Sequence, residues 1–380
     1  MLNTTLQRTP LSLTLLAILY RDDKIDLKEL PANIFSLYDL FTDVYLDKWD
    51  ANKGVTQLYK YEQTKNILAF IAFELHINGS NSISEDELKM FLLKLRKDFN
   101  YDELNDIDSF VKHLKSKNGV FNYDNSNKSF YFFNHYFQEY FSSLCIEDDE
   151  DSILIDNFFN NWWSNSIVFY CGKKPKSNKF HNEINTKIIP IGSQQKNIYL
   201  INHSKCLQAS HAISIPNRGK IVKKLIFEFN NLFISILDES KDNPDSLFNK
   251  MPFVTILNYS KNLFDDIFSS KHIATTETIK IFEEILLDEN NNLSDITIYN
   301  VAYFLAFHNQ SAFPFEIIGE RLKDNIVWSR ILFVDINLLK LKKKINEKQF
   351  IKIRRKMNKN KFIIQNILNN NYLEMSKNKR

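Results

Sequence analysis

Glycine and proline are scarce in this chain, with 7 and 8 among 380 residues. So few of either cannot supply the tight turns of an all-β fold or long flexible linkers. Cysteine is rarer still. Cys145, Cys171 and Cys206 form neither an even set nor a CxxC pair. That excludes a disulfide framework and a cysteine zinc site, and points to a reducing, cytoplasmic setting. The histidines show no HExxH or other ligand spacing, so no metal site is expected. No serine or cysteine stands in a GxSxG-type elbow. No G-x4-G-K-S/T phosphate loop occurs anywhere. No catalytic residue is assigned. The N-terminal apolar run PLSLTLLAILY is only about a dozen residues, too short to cross a bilayer. It also lacks a clear small-residue cleavage site, so it reads as a buried helix of a protein with no transmembrane segment, with a signal peptide as the lesser alternative.

What is present is an ordinary globular balance, 44% hydrophobic and 25% charged. The length allows two or three domains and a sizeable core. Charge is unevenly spread. From Lys340 to Arg380 there are fourteen Lys/Arg against two acids, a local +12. The whole chain carries only +3, so the first 339 residues carry −9.

Periodicity predicts a mainly α protein. A helix starts at Pro10, with proline at its first position. A second follows Leu30-Pro31, through NIFSLYDLFTDVYLDKWD. A third covers about 57–77. Residues 1–78 therefore read as a small helical domain. In ISEDELKMF, Ser84 reads as a helix cap followed by acids in the first turn, where they suit the helix dipole. A further helix is expected over about 103–117. Then GVFNYDNSNKSFYFFN reads as two short aromatic strands around the turn Asp124–Asn127. The order helix, helix, hairpin is that of a winged helix over 79–146. The acidic run Glu147–Asp151 marks a boundary. Beyond it, 147–339 reads as an irregular helical array, with helices at about 152–170, 197–212, 217–238, 245–269, 274–288, 295–308 and 313–335. Residues 340–380 read as a basic helical tail.

The second strand of the hairpin runs straight into a helix as FYFFNHYFQEYFSS, with His135 inside eight aromatic residues. This run, from Phe130 through His135, Gln138 and Glu139 to Ser143, resembles the winged-helix signature of NACHT-type STAND nucleotide-switch proteins. TPLSLTLLAILY and LPANIFSLYDLFTDVYLDKW resemble the first helical domain of the same proteins, and the likeness extends over about 7–145. It implies a switch in which helical and winged-helix domains close over a P-loop domain. By that resemblance Pro10 would lie against the adenine and His135 would reach the phosphates of bound ADP. No phosphate loop is present here, so the resemblance implies the C-terminal part of such a protein. It would be a regulatory and sensor portion, plausible in bacterial antiphage defence. It would have no cofactor and no ATPase activity of its own. ATP or ADP would be bound only with a separate or upstream P-loop NTPase domain as partner.

Each residue also has a plainer reading. His135 can cap or hydrogen-bond within a core at a strand–helix junction. Gln138 and Glu139 read as the polar start of a helix rather than as catalysts, and the aromatic residues read as core. A rival reading takes the chain as a winged-helix nucleic-acid-binding regulator with a basic tail. Against it, the would-be recognition helix opens with Asp102, Glu103, Asp106 and Asp108, which repel phosphate.

The tail itself reads as a solvated helix, as an arm for nucleic acid or an acidic partner, or as an amphipathic surface helix. Truncation separates these readings. If the tail docks on the acidic body, ending the chain at Leu339 lowers the melting temperature and leaves nucleic-acid retention unchanged. If it is a nucleic-acid arm, truncation keeps the melting temperature and removes salt-sensitive binding to duplex or single strand.

Overall fold

The protein is mainly α-helical, with one small antiparallel sheet. The computed structural model describes residues 10–21, 33–46, 60–99, 101–116, 119–147, 151–174, 177–190, 192–210, 212–242, 253–270, 273–288, 290–308 and 313–321, with isolated positions between 331 and 351. Most of the basic tail, Thr9 and Leu30-Pro31 lie outside the described residues. The chain divides into two units. The first holds residues 1–221 with 270–273, and the second holds 222–269 with 274–380.

The first unit opens with α1 (Pro10–Arg21) and α2 (Ile34–Tyr45). Leu15, Leu16 and Leu19 of α1 are buried, as are Leu37, Tyr38 and Phe41 of α2, at the spacing that puts them on one helical face. Helix α3 (Tyr61–Ile77) buries Ile67, Leu68, Ile71 and Leu75. It ends in a Schellman turn. Gly79, at φ +64, donates to the His76 carbonyl at 3.2 Å, and Ser80 donates to that of Leu75 at 2.9 Å. The turn sends the chain into strand β1 (Ser82–Ser84).

Ser84 then starts α4 (Glu85–Asp98) with a capping box. Its hydroxyl accepts from the Glu87 N–H, and the Glu87 carboxylate accepts from its N–H. After a short 3-10 turn at Asp102–Asn105 comes α5 (Ile107–Ser116). The hairpin β2 (Phe121–Asp124) and β3 (Ser129–Phe132) follows, with Phe121 opposite Phe132 and Asp124 opposite Ser129. The sequence reading foresaw these two strands but not β1, which pairs antiparallel with β3, Ile83 opposite Phe130. The sheet is therefore three-stranded, in the order β1-β3-β2.

Helix α6 (His135–Leu144) leaves the sheet and packs along α3 and along α8 (Ser164–Lys173). The stretch expected as one helix over 152–170 is broken. It forms α7 (Ser152–Asp156), a 3-10 turn at Asn161–Trp163, and α8. The break is local: the Asn160 side chain accepts from the Trp162 N–H at 3.0 Å and starts the chain afresh. Helix α9 (Asn178–Thr186), missed in the sequence, is followed by α10 (Ser193–Ala209) and the first residues of α11 (Ile215–Asp242). One hydrophobic cluster runs from Leu15 through Phe141 to Phe169.

The second unit contains the rest of α11, α12 (Phe253–Phe268), α13 (Thr276–Leu287), α14 (Asp295–His308) and α15 (Phe313–Arg321). Phe264 sits at its centre, with ring centroids 5.1 Å from Phe229, 5.6 Å from Phe282 and 5.8 Å from Phe304.

One polar residue ties three helices of the first unit together. Asn33 is 3% exposed. Its side-chain oxygen caps α2 by accepting from the Ser36 N–H at 2.9 Å. Its amide donates to the Gly172 carbonyl at 3.1 Å and the Ala209 carbonyl at 3.2 Å, the free ends of α8 and α10. Gly172 permits the approach, since a Cβ there would lie 2.7 Å from the Phe35 Cβ. Asn33→Ala removes a cap and leaves two buried carbonyls without this donor, so it should cost about 2–4 kcal/mol. Urea unfolding of the variant checks this, and a loss under about 1 kcal/mol would show the three-way tie to be unimportant.

Candidate functional site

The strand–helix junction was expected to carry the chemistry, and its side chains are placed by three elements. Asn134 caps α6 by accepting from the Tyr136 N–H at 2.9 Å. This puts His135 at the first position of the helix. In β3 the chain alternates, with Phe130 and Phe132 buried and Tyr131 exposed, and Phe133 beyond the strand end is exposed too. The junction lies in a groove of about 820 Å³, whose lining includes Tyr131, Phe133, His135, Glu139, Trp162 and Asn165.

His135 is half-buried. Its ring lies 4.5 Å from that of Trp162 and 6.0 Å from that of His76, the residue beneath it. His76 is fully buried, stacked on Trp162 at 5.2 Å and met edge-on by Trp163 at 4.5 Å. Its Nε2 is 3.1 Å from the Ser166 hydroxyl, and its Nδ1 has no hydrogen-bond partner. Its carbonyl accepts from the Trp162 indole N–H at 2.8 Å. Two imidazoles and two indoles thus form one cluster, built from α3, α6 and the 3-10 turn. Sequence reasoning gave a site role only to His135 of these; Trp162-Trp163 entered it as a weak continuation of the family likeness and His76 as a histidine without ligand spacing. The others are brought in from positions that no local motif connects.

Gln138 closes the first turn of α6 and Glu139 follows it, but neither is the solvated polar start that the sequence suggested. Glu139, the fifth residue, lies beyond the first turn of α6 where the dipole acts, and both side chains are 1% exposed. Gln138 donates to the Ser80 carbonyl at 2.8 Å and so holds the lead-in to β1. Glu139 accepts from the Asn165 amide at 3.1 Å on each oxygen, and its Oε1 is 3.6 Å from His135 Nε2. Burial pushes the Glu139 carboxyl up to about 8, against the pull of Asn165 and Lys205. Burial, helped by His135, lowers His76 to about 3, and burial also lowers His135. At neutral pH the His135–Glu139 contact is therefore a neutral imidazole beside a neutral carboxyl, not an ion pair. Pro10 is the first residue of α1, but its side chain lies outside the described residues.

A second buried cluster contains Cys171, Cys206, His181 and Ser210. Ser210 meets His181 Nε2 at 3.1 Å and the Ser177 hydroxyl at 3.0 Å. The cysteines are free and wholly enclosed. No group of three or more metal-binding side chains occurs among the described residues, and no helix there is long and apolar enough to cross a membrane. Comparison with protein-family models, with curated proteins and with solved structures found no match.

The two shifted groups oppose each other in pH. His76 has its folded value below the ordinary 6.5, so the unfolded chain gains the proton first and stability is lost as pH falls toward 3. Glu139 has its folded value above the ordinary 4.5, so stability is present below 4.5 and lost as pH rises through 8. Between 4.5 and 6.5 the slopes of His76 and Glu139 oppose each other, and the lowered His135 acts on the side of His76. From pH 6.5 to pH 8 the contribution of Glu139 itself falls by about 2 kcal/mol. Relative to Glu139→Gln, wild type should therefore lose stability between pH 6.5 and pH 8, as the pH dependence of the two melting temperatures would show. An equal alkaline loss in the variant would remove Glu139 as its source.

Proposed function

We propose that this chain is the regulatory and sensing portion of a NACHT-like nucleotide-switch protein and carries out no chemistry itself. The observation that supports this is the order α3-β1-α4-α5-β2-β3, with sheet order β1-β3-β2. A winged helix would have this order, and here it is followed directly by a helix whose first residue, His135, stands half-exposed in a groove. A role in bacterial antiphage defence rests on the resemblance of the FYFFNHYFQEYFSS run alone.

The groove does not by itself fit the phosphates of a nucleotide. Its lining offers one imidazole, which burial keeps neutral, and no lysine or arginine. It also sets the carboxyls of Asp124 and Glu139 in the same walls. Tight phosphate binding needs a cradle of backbone N–H groups and a cation, and a P-loop domain would have to provide both. His135 would then add one contact at most.

The nucleic-acid reading is weakened by the charges of α4 and α5. Lys89 is held by Asp108 at 2.7 Å, and Lys115 by Glu85 at 2.6 Å. Lys94, Arg96, Lys97 and Lys112 are exposed on the same two helices, but residues 85–116 carry eight acids against six Lys/Arg, a net −2 that disfavours a phosphate backbone.

Two measurements test the proposal. Titration calorimetry of the chain with Mg-ATP or ADP should give a Kd weaker than about 1 mM, with no phosphate release. The tagged protein, purified from its own cells, should carry a P-loop NTPase domain, on a partner or on the same polypeptide, identifiable by mass spectrometry. Micromolar ATP binding by the 380 residues alone would overturn the reading. So would nanomolar binding to duplex DNA at physiological salt with no P-loop domain recovered.

A further inference from the structure

The walls of the groove combine aromatic faces with carboxyl groups. Tyr131 is 39% exposed and Phe133 is 58% exposed, beside the half-buried Trp162. Three large rings around one opening are costly to leave in water. The same wall includes Glu139, which is 1% exposed. One amide, that of Asn165, spans both of its oxygens. An ionised carboxylate can accept about four hydrogen bonds, so Glu139 has capacity left for a further donor.

We infer that this groove binds a cationic ligand with a planar guanidinium, of the kind an arginine side chain presents, stacked on the exposed rings with its N–H groups directed to Glu139. The geometry suits a flat cation for two reasons. Aromatic faces attract cations, the more so when water is excluded. A guanidinium also matches a carboxylate through paired N–H donors, where a lysine ammonium offers only a point charge. The inference goes beyond the regulatory role proposed above and does not depend on it.

Binding should be linked to protons. Burial holds Glu139 protonated at neutral pH. An arriving cation would supply the missing countercharge, so the carboxyl would ionise and release its proton to solvent. The groups around Glu139 are His135 on its own helix, Tyr136 beside it, Asn165 on α8, Tyr38 on α2 and Lys205 on α10. His135 is itself disposed to stay neutral, and Lys205 already favours the carboxylate.

The test uses calorimetry with N-acetyl-arginine amide and its neutral counterpart N-acetyl-citrulline amide, on the full chain. Wild type at about pH 8 should prefer the arginine probe at least ~10-fold, and its affinity should rise by about 10-fold or more from about pH 6 to pH 8. Repeating the titration in buffers of different ionisation enthalpy should show proton release. Glu139→Gln should abolish the preference and the pH dependence. Phe133→Ala, at an exposed position, should weaken the arginine probe severalfold while leaving the melting temperature unchanged. Equal affinity for the two probes, or an unchanged preference in Glu139→Gln, would overturn the inference. Tighter binding of inorganic phosphate, lost in His135→Ala and kept in Glu139→Gln, would make the groove an anion site and also overturn it, while leaving the regulatory role standing. Failure to recover a P-loop domain bears on that role alone.

Discussion

The first unit depends on the burial of α6. Phe137, Tyr140 and Phe141 are each 0% exposed. Rings of this size remove roughly 150–250 Å² from water apiece, which at about 25 cal/mol per Å² is a large gross stabilisation of several kcal/mol each. The partners come from other parts of the chain. Tyr38 of α2 lies 4.9 Å from Phe137 and 5.0 Å from Phe169 of α8, and Phe35 lies 5.4 Å from Tyr140. The one polar tip on this face is satisfied: the Tyr140 hydroxyl donates to Asp39 at 2.6 Å, and Asp39 in turn holds Lys65. An exposed chain of such rings would aggregate. Enclosed, they bring α2, α3 and α8 to one helix.

That burial has a consequence for the remaining face of α6. A helix of ten residues packed along both α3 and α8 cannot keep all its polar side chains in water. Gln138 and Glu139 are enclosed with it, and His135 escapes only because it is the first residue. A buried amide finds a backbone carbonyl, as Gln138 does at Ser80. A buried carboxyl without a cation in contact holds its proton instead. The unusual proton affinities of Glu139 and His76 therefore follow from the same packing that stabilises the unit. They do not require a separate device.

Asn33 shows a different solution to the same constraint. Helix ends leave carbonyls without partners, and the ends of α8 and α10 meet at one place. One short carboxamide serves both and still caps its own helix, because it has two donors and an acceptor on a rigid plane. Hydrophobic burial draws these helices together without direction. The amide fixes how they meet.

Local signals in the sequence determined the helical class, the cap at Ser84, the hairpin about Asp124–Asn127 and the placement of His135 where β3 becomes α6. Each is settled by interactions within three or four residues, or by a periodicity long enough to read. Strand β1 was not legible, because Ser82–Ser84 is too short to show alternation and is a strand only by its pairing with β3. The break at Asn160 did have a local signal, an asparagine able to bond the backbone two residues on, but the apolar pattern around it masked that signal. The cluster of His76, His135, Trp162 and Trp163 was beyond any sequence pattern. His76 and its Ser166 partner are 90 positions apart. Only the packing of α6 against α3 and α8 brings them together. The environment of Glu139 was decided there too, since a carboxyl reads the same in sequence whether it faces water or, as here, one amide and an imidazole in an enclosed wall. Proton affinity depends on the solvent and charges around a group, and those are set only once the chain has closed.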